Sequence, residues 1–217
     1  MDAERIAELL EPFLSGAALS AAQLNNISMY VDILIRWNAR VNLTAVRDPE
    51  EMVTRHFGES LFAAGLLFRV NSDRAAKGLD RLIDIGSGAG FPGLPMKIWA
   101  TQLRVTLIES NHKKAAFLRE VVRALSLGDI TVFPGRAEEF SIDPQISSLV
   151  TLRAVERFDA VLPEAVRLAG PFGKIALLIG GGQVAIAQNI APQVQWDAAV
   201  PIPKSNQRVV LCGSLEC

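Results

Sequence analysis

The chain is poor in the residues that carry disulfide, metal and acid–base chemistry. Its 217 residues include two cysteines, two histidines and one tyrosine. Cys212 and Cys217 sit close to the C-terminus, with no CxxC pair and no Cys/His cluster. That excludes a disulfide framework and a structural zinc site, so no metal is expected and the pattern fits a reducing compartment. Charge of one sign is also missing: 22 Lys and Arg face 23 Asp and Glu, for a formal net charge of -1. A globally basic nucleic-acid binder is thereby excluded, although a local basic face is not. Met1-Asp2-Ala3-Glu4-Arg5 lacks the apolar core of a secretory leader. Ile175 to Trp196 is uncharged, but it contains Gly180-Gly181-Gly182, Gln183, Gln188, Asn189, Pro192, Gln193 and Gln195, which a lipid-facing helix would not carry together. The expectation is a soluble, cytoplasmic protein with no membrane span. Half of the residues are hydrophobic and 21% are charged, an ordinary globular balance in a chain long enough to bury a core without staples.

The first third reads as helices. Ile6, Leu9, Leu10, Phe13 and Leu14 mark an amphipathic segment over Ala3 to Leu14. Ser20 caps a longer one carrying Leu24, Ile27, Tyr30, Val31, Leu34 and Ile35 in register. Asp48-Pro49-Glu50-Glu51 supplies a cap residue, a proline at the first helical position and acids in the first turn, predicting a helix from about Pro49 to Phe68. Asn71 to Asp80 is polar and reads as a connection. Short apolar runs then alternate with helical patterns: Leu82–Ile85, Leu103–Ile108, Ile130–Phe133, Ser148–Leu152 and Lys174–Ile179. Val194–Val200 and Arg208–Cys212 close the chain as a candidate edge hairpin. This alternation predicts a mostly parallel α/β sheet. A helical extension over residues 1–70 precedes a domain over residues 78–217.

The most informative stretch is Asp84-Ile85-Gly86-Ser87-Gly88-Ala89-Gly90-Phe91-Pro92-Gly93, between a strand and a helix. A nucleotide-triphosphate loop would end in Gly-Lys-Ser/Thr, which is missing. A dinucleotide fingerprint would need glycine where Phe91 stands, which weakens an NAD-dependent oxidoreductase reading. Acid-x-Gly-x-Gly-x-Gly resembles the first motif of the Rossmann-like, class I methyltransferases that depend on S-adenosyl-L-methionine (SAM). The resemblance implies a seven-stranded sheet whose last strand is antiparallel. It places Asp84, Gly86, Gly88 and Gly90 at the cofactor, with Asp84 near the ammonium directly or through water. Glu109 ends a strand 23 residues after Gly86, where a carboxylate can accept from both ribose hydroxyls. In this class the loop after the next strand lies against the adenine, which selects Ala137 and Glu138.

Longer stretches narrow the family. Trp37 to Pro49, Arg55-His56-Phe57-Gly58-Glu59-Ser60, Asp84 to Pro95, Glu109-Ser110, Lys113-Lys114, Phe117-Leu118-Arg119, Arg136 to Phe140 and Arg153-Ala154 together resemble the glucose-inhibited division protein B family, the guanine-N7 methyltransferases of 16S ribosomal RNA. The resemblance runs from about residue 20 to 212. It implies SAM as cofactor, with Gly86, Phe91, Ala137, Glu138 and Arg153 against it. It also implies 16S rRNA as partner, within the small ribosomal subunit or an assembly intermediate, and a monomeric enzyme. The chain departs from the family pattern at Glu59 (often Asp), at Ile179 (usually Lys) and at Gln207-Arg208 (often Arg-His). Alternative readings are a small-molecule SAM methyltransferase and a non-catalytic ribosome-assembly factor.

Guanine N7 has a lone pair and no proton, so methylating it needs no general base; the demand is for positioning. No residue is therefore expected as a catalytic acid or base. Asn42 and Arg47 read either as groups that close the site or as caps. Arg153 reads either as a donor to guanine O6 or as the partner of the cofactor carboxylate, the latter favoured because the developing base cation would repel it. Candidate RNA contacts are Arg36, Arg40, Arg47 and Arg55 on the helical region and Lys113, Lys114, Arg119 and Arg123 after Glu109. His56 reads equally as an RNA contact or an interhelical hydrogen bond. Each charge group also fits a plain solvated helix face.

Overall fold

A computed structural model describes residues 1–68, 80–143 and 145–216. The connection expected over Asn71 to Asp80 lies, apart from Asp80, outside these residues, as do the boundaries expected at 70 and 78.

The N-terminal helices follow from their caps and periodicity. Helix α1 (Ala3–Leu10) gives way to a 3-10 turn over Glu11–Phe13 at Pro12, so the α-helical part is shorter than the apolar pattern suggests. Ser20 caps α2 (Ala21–Val41). Its Oγ accepts from the Gln23 N–H at 3.3 Å, and Gln23 Oε1 accepts from the Ser20 N–H at 2.8 Å. Such a reciprocal cap contributes about 1 kcal/mol. Ile27, Tyr30, Val31 and Leu34 are buried at i, i+3, i+4 and i+7 spacing. Asp48 accepts from the Glu51 N–H at 2.8 Å and starts the third helical span at Pro49. That span is not uniform. It runs as α3 (Pro49–Glu51), a π-helical stretch over Met52–Gly58 and α4 (Glu59–Leu67). Wide π turns recur at functional sites, because they re-aim side chains and free carbonyls.

The strands are β1 (Arg81–Ile85), β2 (Arg104–Ile108), β3 (Ile130–Phe133), β4 (Leu149–Arg153), β5 (Lys174–Gly180), β6 (Gln195–Trp196), β7 (Val200–Pro201) and β8 (Arg208–Ser214). Their order is β3-β2-β1-β4-β5-β8-β6, with β7 also on β8. The first five are parallel, and β8 enters antiparallel beside β5. The C-terminal hairpin forms as expected, but its first arm is broken into two short strands. Trp196 faces Gly213 while Val200 faces Val210, so one extra residue bulges between them, and Pro201 cannot donate further pairing.

Parallel strands joined by crossovers need helices on both faces. Here α5 (Gly93–Trp99), α6 (His112–Ala124), α7 (Phe158–Ala169) and α8 (Val184–Ile190) supply them. Alternation along the strands separates two apolar layers. Leu82, Val105, Leu107, Leu149 and Ala176 pack with the N-terminal helices, α5 and α6. Ile83, Ile85, Ile108, Val150, Leu152 and Leu177 pack with α7 and α8. Trp37 on α2 meets Phe117 on α6 edge-on at 5.7 Å, so the helical extension shares a core with the sheet.

Candidate active site

The chain reverses its winding between β1 and β4, where open α/β sheets bind ligands beyond the carboxyl ends of the strands. A cleft of about 680 Å³ lies there. It is lined by the loops after β1 (Ile85 to Ala89, and Phe91), β2 (Glu109 to Asn111, and Lys114), β3 (Gly135 to Glu138) and β4 (Ala154 to Arg157), and by Leu43 to Val46, Arg55, His56, Arg153 and Arg208. That size suits a nucleoside-bearing cofactor.

In the glycine loop Gly86, Gly88 and Gly90 all take positive φ, at 69°, 55° and 86°. This turn is open to glycine and strained for other residues. The loop is tied to the second strand end: Gly88 N–H donates to Glu109 Oε2 at 2.8 Å, and Asn111 N–H donates to Oε1 at 2.7 Å. Asn111 also caps α6 through the amides of Lys113 and Lys114. The Glu109 carboxylate is thus aimed by backbone on both oxygens, and each oxygen keeps capacity for a further donor. On the third loop Ala137 is buried and Glu138 is exposed, both in the cleft wall. Arg167 supports that loop from α7, donating to the carbonyls of Ala137 at 2.9 Å and Phe140 at 3.1 Å.

Of the two approaches expected of Asp84, direct and through water, the structure does not display the direct one. Asp84 is fully buried and does not line the cleft, so it cannot meet a ligand ammonium directly. Its Oδ1 accepts from Thr151 Oγ1 at 2.7 Å, across the β1–β4 register, and its Oδ2 accepts from Gly93 N–H at 3.3 Å. Burial pushes its carboxyl up to about 6, against the hydrogen bonds from Thr151, Ser87 and Gly93. Its role in the structure is to hold the loop from beneath. Gly90 also lies behind the lining. A Cβ there would fall 2.2 Å from the Tyr30 hydroxyl, so this glycine serves helix docking.

Asn42 and Arg47 also stand outside the lining. Asn42 caps α2 in the left-handed region, and its Oδ1 accepts from Arg47 Nη2 at 3.0 Å; Arg47 Nη1 donates to the Asn38 carbonyl at 3.1 Å. The capping alternative is the one the geometry displays, and it presents Leu43 to Val46 to the cleft instead. Of the expected RNA contacts, Arg55, His56 and Lys114 line the cleft, whereas Arg36, Arg40 and Lys113 are exposed outside it.

Arg153 lines the cleft and is tied to the π-helical stretch. Its Nη2 donates to the Arg55 carbonyl and to Glu59 Oε2, each at 3.0 Å, and its Nη1 lies 3.2 Å from His56 Nδ1. A guanidinium only donates, so Nδ1 must accept, and His56 Nε2–H then donates to Thr44 Oγ1 at 2.8 Å. Burial, helped by Arg153, Arg55 and Arg208, pushes the imidazole down to about 3. The neutral ring stacks on Phe91 at 4.8 Å, and Tyr30 stacks on the same phenyl at 5.4 Å. Glu59 meets a second cation, with Arg208 Nη2 2.5 Å from its Oε1. Glu59, Tyr30 and Arg208 were not legible as site residues from local pattern, although Glu59 lies in a quoted family stretch. Local charge is strongly positive: six Lys and Arg line the cleft against Glu109, Glu138 and Glu156.

Solved structures share this architecture. P. horikoshii TYW2, determined with MeSAdo, matches with a TM-score of 0.59 at 15% identity, over 75% of this chain and 63% of that one. A fibrillarin/Nop5p complex matches at 0.57 and 12% identity, over 74% and 82%. At such identities the likeness shows the fold, which is that of the Rossmann-like methyltransferases. The family described as "GidB: rRNA small subunit methyltransferase G" matches residues 23–197, and the chain belongs to it. Ribosomal RNA small subunit methyltransferase G of Roseiflexus castenholzii is 48% identical over 64% of this chain, but the match spans 58% of that protein's own length. The protein of the same name from Xanthomonas axonopodis pv. citri is 39% identical over 81% of this chain and 77% of its own.

Proposed function

We propose that this protein transfers a methyl group from SAM to N7 of a guanine in 16S ribosomal RNA, as a monomer acting in the cytoplasm on the small subunit or an assembly intermediate. The observation that carries this reading is the convergence of the Gly86–Gly88 backbone, the Glu109 carboxylate and the Ala137 turn on one cleft, in a chain of this family. The donor set fits the cofactor. Glu109 has acceptor capacity for ribose hydroxyls, Ala137 and Glu138 can flank an adenine, and a loop without Gly-Lys-Ser/Thr suits a ligand without phosphates. When bound, SAM supplies an electrophilic methyl on a sulfonium. Guanine N7 brings its own lone pair, so no side chain has to remove a proton.

What the chain's residues must do is position and exclude water. Phe91 and neutral His56 form an apolar wall. Arg55, Lys114, Arg136 and Arg157 in the cleft lining supply RNA backbone contacts that the net charge hides. A structured particle offers such a patch more contact area than bare RNA. The test is methyl transfer from labelled SAM to undermethylated small subunits and to naked 16S rRNA, with the modified base mapped. Label on guanine N7, higher on particles, is the expected result; label on another atom or on no RNA overturns the reading.

A further inference from the structure

A second cavity of about 120 Å³ adjoins the cofactor cleft and shares Ala154, Val155, Leu178 and Arg208 with it. We propose that it receives the methyl-accepting base itself, and that Arg208 recognises that base through O6; this rests on the guanine reading above.

The cavity has the scale of one heterocycle, about four waters' volume, and is too small for a whole cofactor. Its walls are the apolar side chains of Leu152, Val155, Phe158, Leu178 and Ile179, suited to the faces of a flat ring. The polar lining groups are Arg208 and Gln183, and Gln183 Oε1 is already engaged by the Gly180 N–H at 3.1 Å. Arg208 is placed by register: it is the cross-strand partner of Gly180, so β8 delivers a cation to the end of β5. Glu59 anchors the guanidinium at Nη2, which leaves Nη1 as a donor for a group held in the cavity. A base carbonyl is the acceptor that both the cavity and the charge suit. Guanine carries O6 beside N7, so an Arg on O6 leaves N7 free to face the cleft. One residue shared by the two cavities is strained: Ala154 takes φ of 50°, a region L-residues rarely adopt and which clusters at functional sites.

Two variants test this. Arg208→Met removes the donor and leaves Glu59 paired with Arg153. Gly180→Leu fills the cavity; Gly180 has an extended backbone at φ -72°, and a Cβ there meets nothing closer than Gln183 Oε1 at 3.7 Å. SAM affinity by calorimetry is expected to stay within about twofold for both. The kcat/KM for methylating undermethylated small subunits is expected to fall about 10- to 100-fold. Subunits reconstituted with 2-aminopurine at the mapped position, which lack O6, are expected to be similarly poor substrates for the unmodified enzyme but no worse for Arg208→Met than guanine is. Undiminished methylation by Gly180→Leu, or an equal 2-aminopurine penalty in both enzymes, overturns the inference. Absence of guanine methylation by the unmodified enzyme instead overturns the reading on which it rests.

Discussion

Tyr30 in α2 donates its buried hydroxyl to the Ala89 carbonyl at 2.5 Å, joining the helical extension to the glycine loop. The same hydroxyl occupies the space that a side chain at position 90 would need. Loop conformation and helix docking are therefore one packing problem. Tyr30→Phe keeps the stack on Phe91 but leaves a buried carbonyl short of a donor, a loss of about 1–2 kcal/mol. Gly90→Ala is expected to cost more, since it combines positive φ with a clash. The two should be strongly non-additive, because Tyr30→Phe removes the atom that the methyl introduced by Gly90→Ala would strike. Urea unfolding of both single variants and the double variant measures this; simple additivity would show that the contact is not shared.

The glycine loop was legible because positive φ and close approach leave few residue choices, and its position after an apolar run placed it at a strand end. Glu109 was legible for the same reason: strand register puts it at the next carboxyl end. Asp84 is legible as important, but not its place beneath the loop. Its partner Thr151 is 67 residues away, and only the β1–β4 pairing shows that the carboxylate points into the sheet. The π-helical stretch left no mark, since its sequence has the same apolar rhythm as an α-helix. In the sequence Arg208 stands out only as a departure from the family pattern, because its relation to Gly180 and Glu59 exists only once β8 inserts beside β5.

Glu59 is a buried carboxylate between Arg153 and Arg208. Glu59→Gln retains the shape but removes the charge that both guanidinium groups face. Breaking one side of a buried ion pair costs about 3–5 kcal/mol. The variant should unfold at clearly lower urea, and adding Arg153→Met, which returns the cluster to its original net charge of one cation, should recover part of the stability while losing the tie to the Arg55 carbonyl. Stability within about 1 kcal/mol of the parent would mean that the pair is too hydrated to matter.

Glu109→Gln should separate cofactor binding from folding. The glutamine carbonyl can still accept from one of the two amides, Gly88 or Asn111, but its NH2 faces the other donor. SAM affinity by calorimetry is expected to fall about 10- to 100-fold, with a smaller stability loss of about 1 kcal/mol. Asp84→Asn, by contrast, should act mainly on stability, since that side chain has no access to the cleft. Equal losses of SAM affinity in both variants, with unchanged stability, would contradict this division.

The opposed shifts of His56 and Asp84 give a distinctive pH response. His56 is held near 3 in the folded protein against an ordinary 6.5, so between those values the unfolded chain binds more protons. Its contribution to stability is fully present above pH 6.5 and is lost as pH falls. Asp84 is raised to about 6 from 3.8, so the folded state binds more protons across that window, and its contribution falls as pH rises from 3.8 to 6. The two slopes oppose each other between about pH 4 and 6, and the whole protein should be flatter there than either group alone implies. Removing one should expose the other. His56→Gln should lose the acid sensitivity, so that its stability relative to the parent improves by about 1–2 kcal/mol between pH 6.5 and 5. Asp84→Asn should do the reverse, leaving the His56 slope unopposed and a protein that weakens faster on acidification. Urea midpoints for the three proteins at pH 7, 6 and 5 decide the matter: parallel curves would mean that neither group titrates as its burial requires.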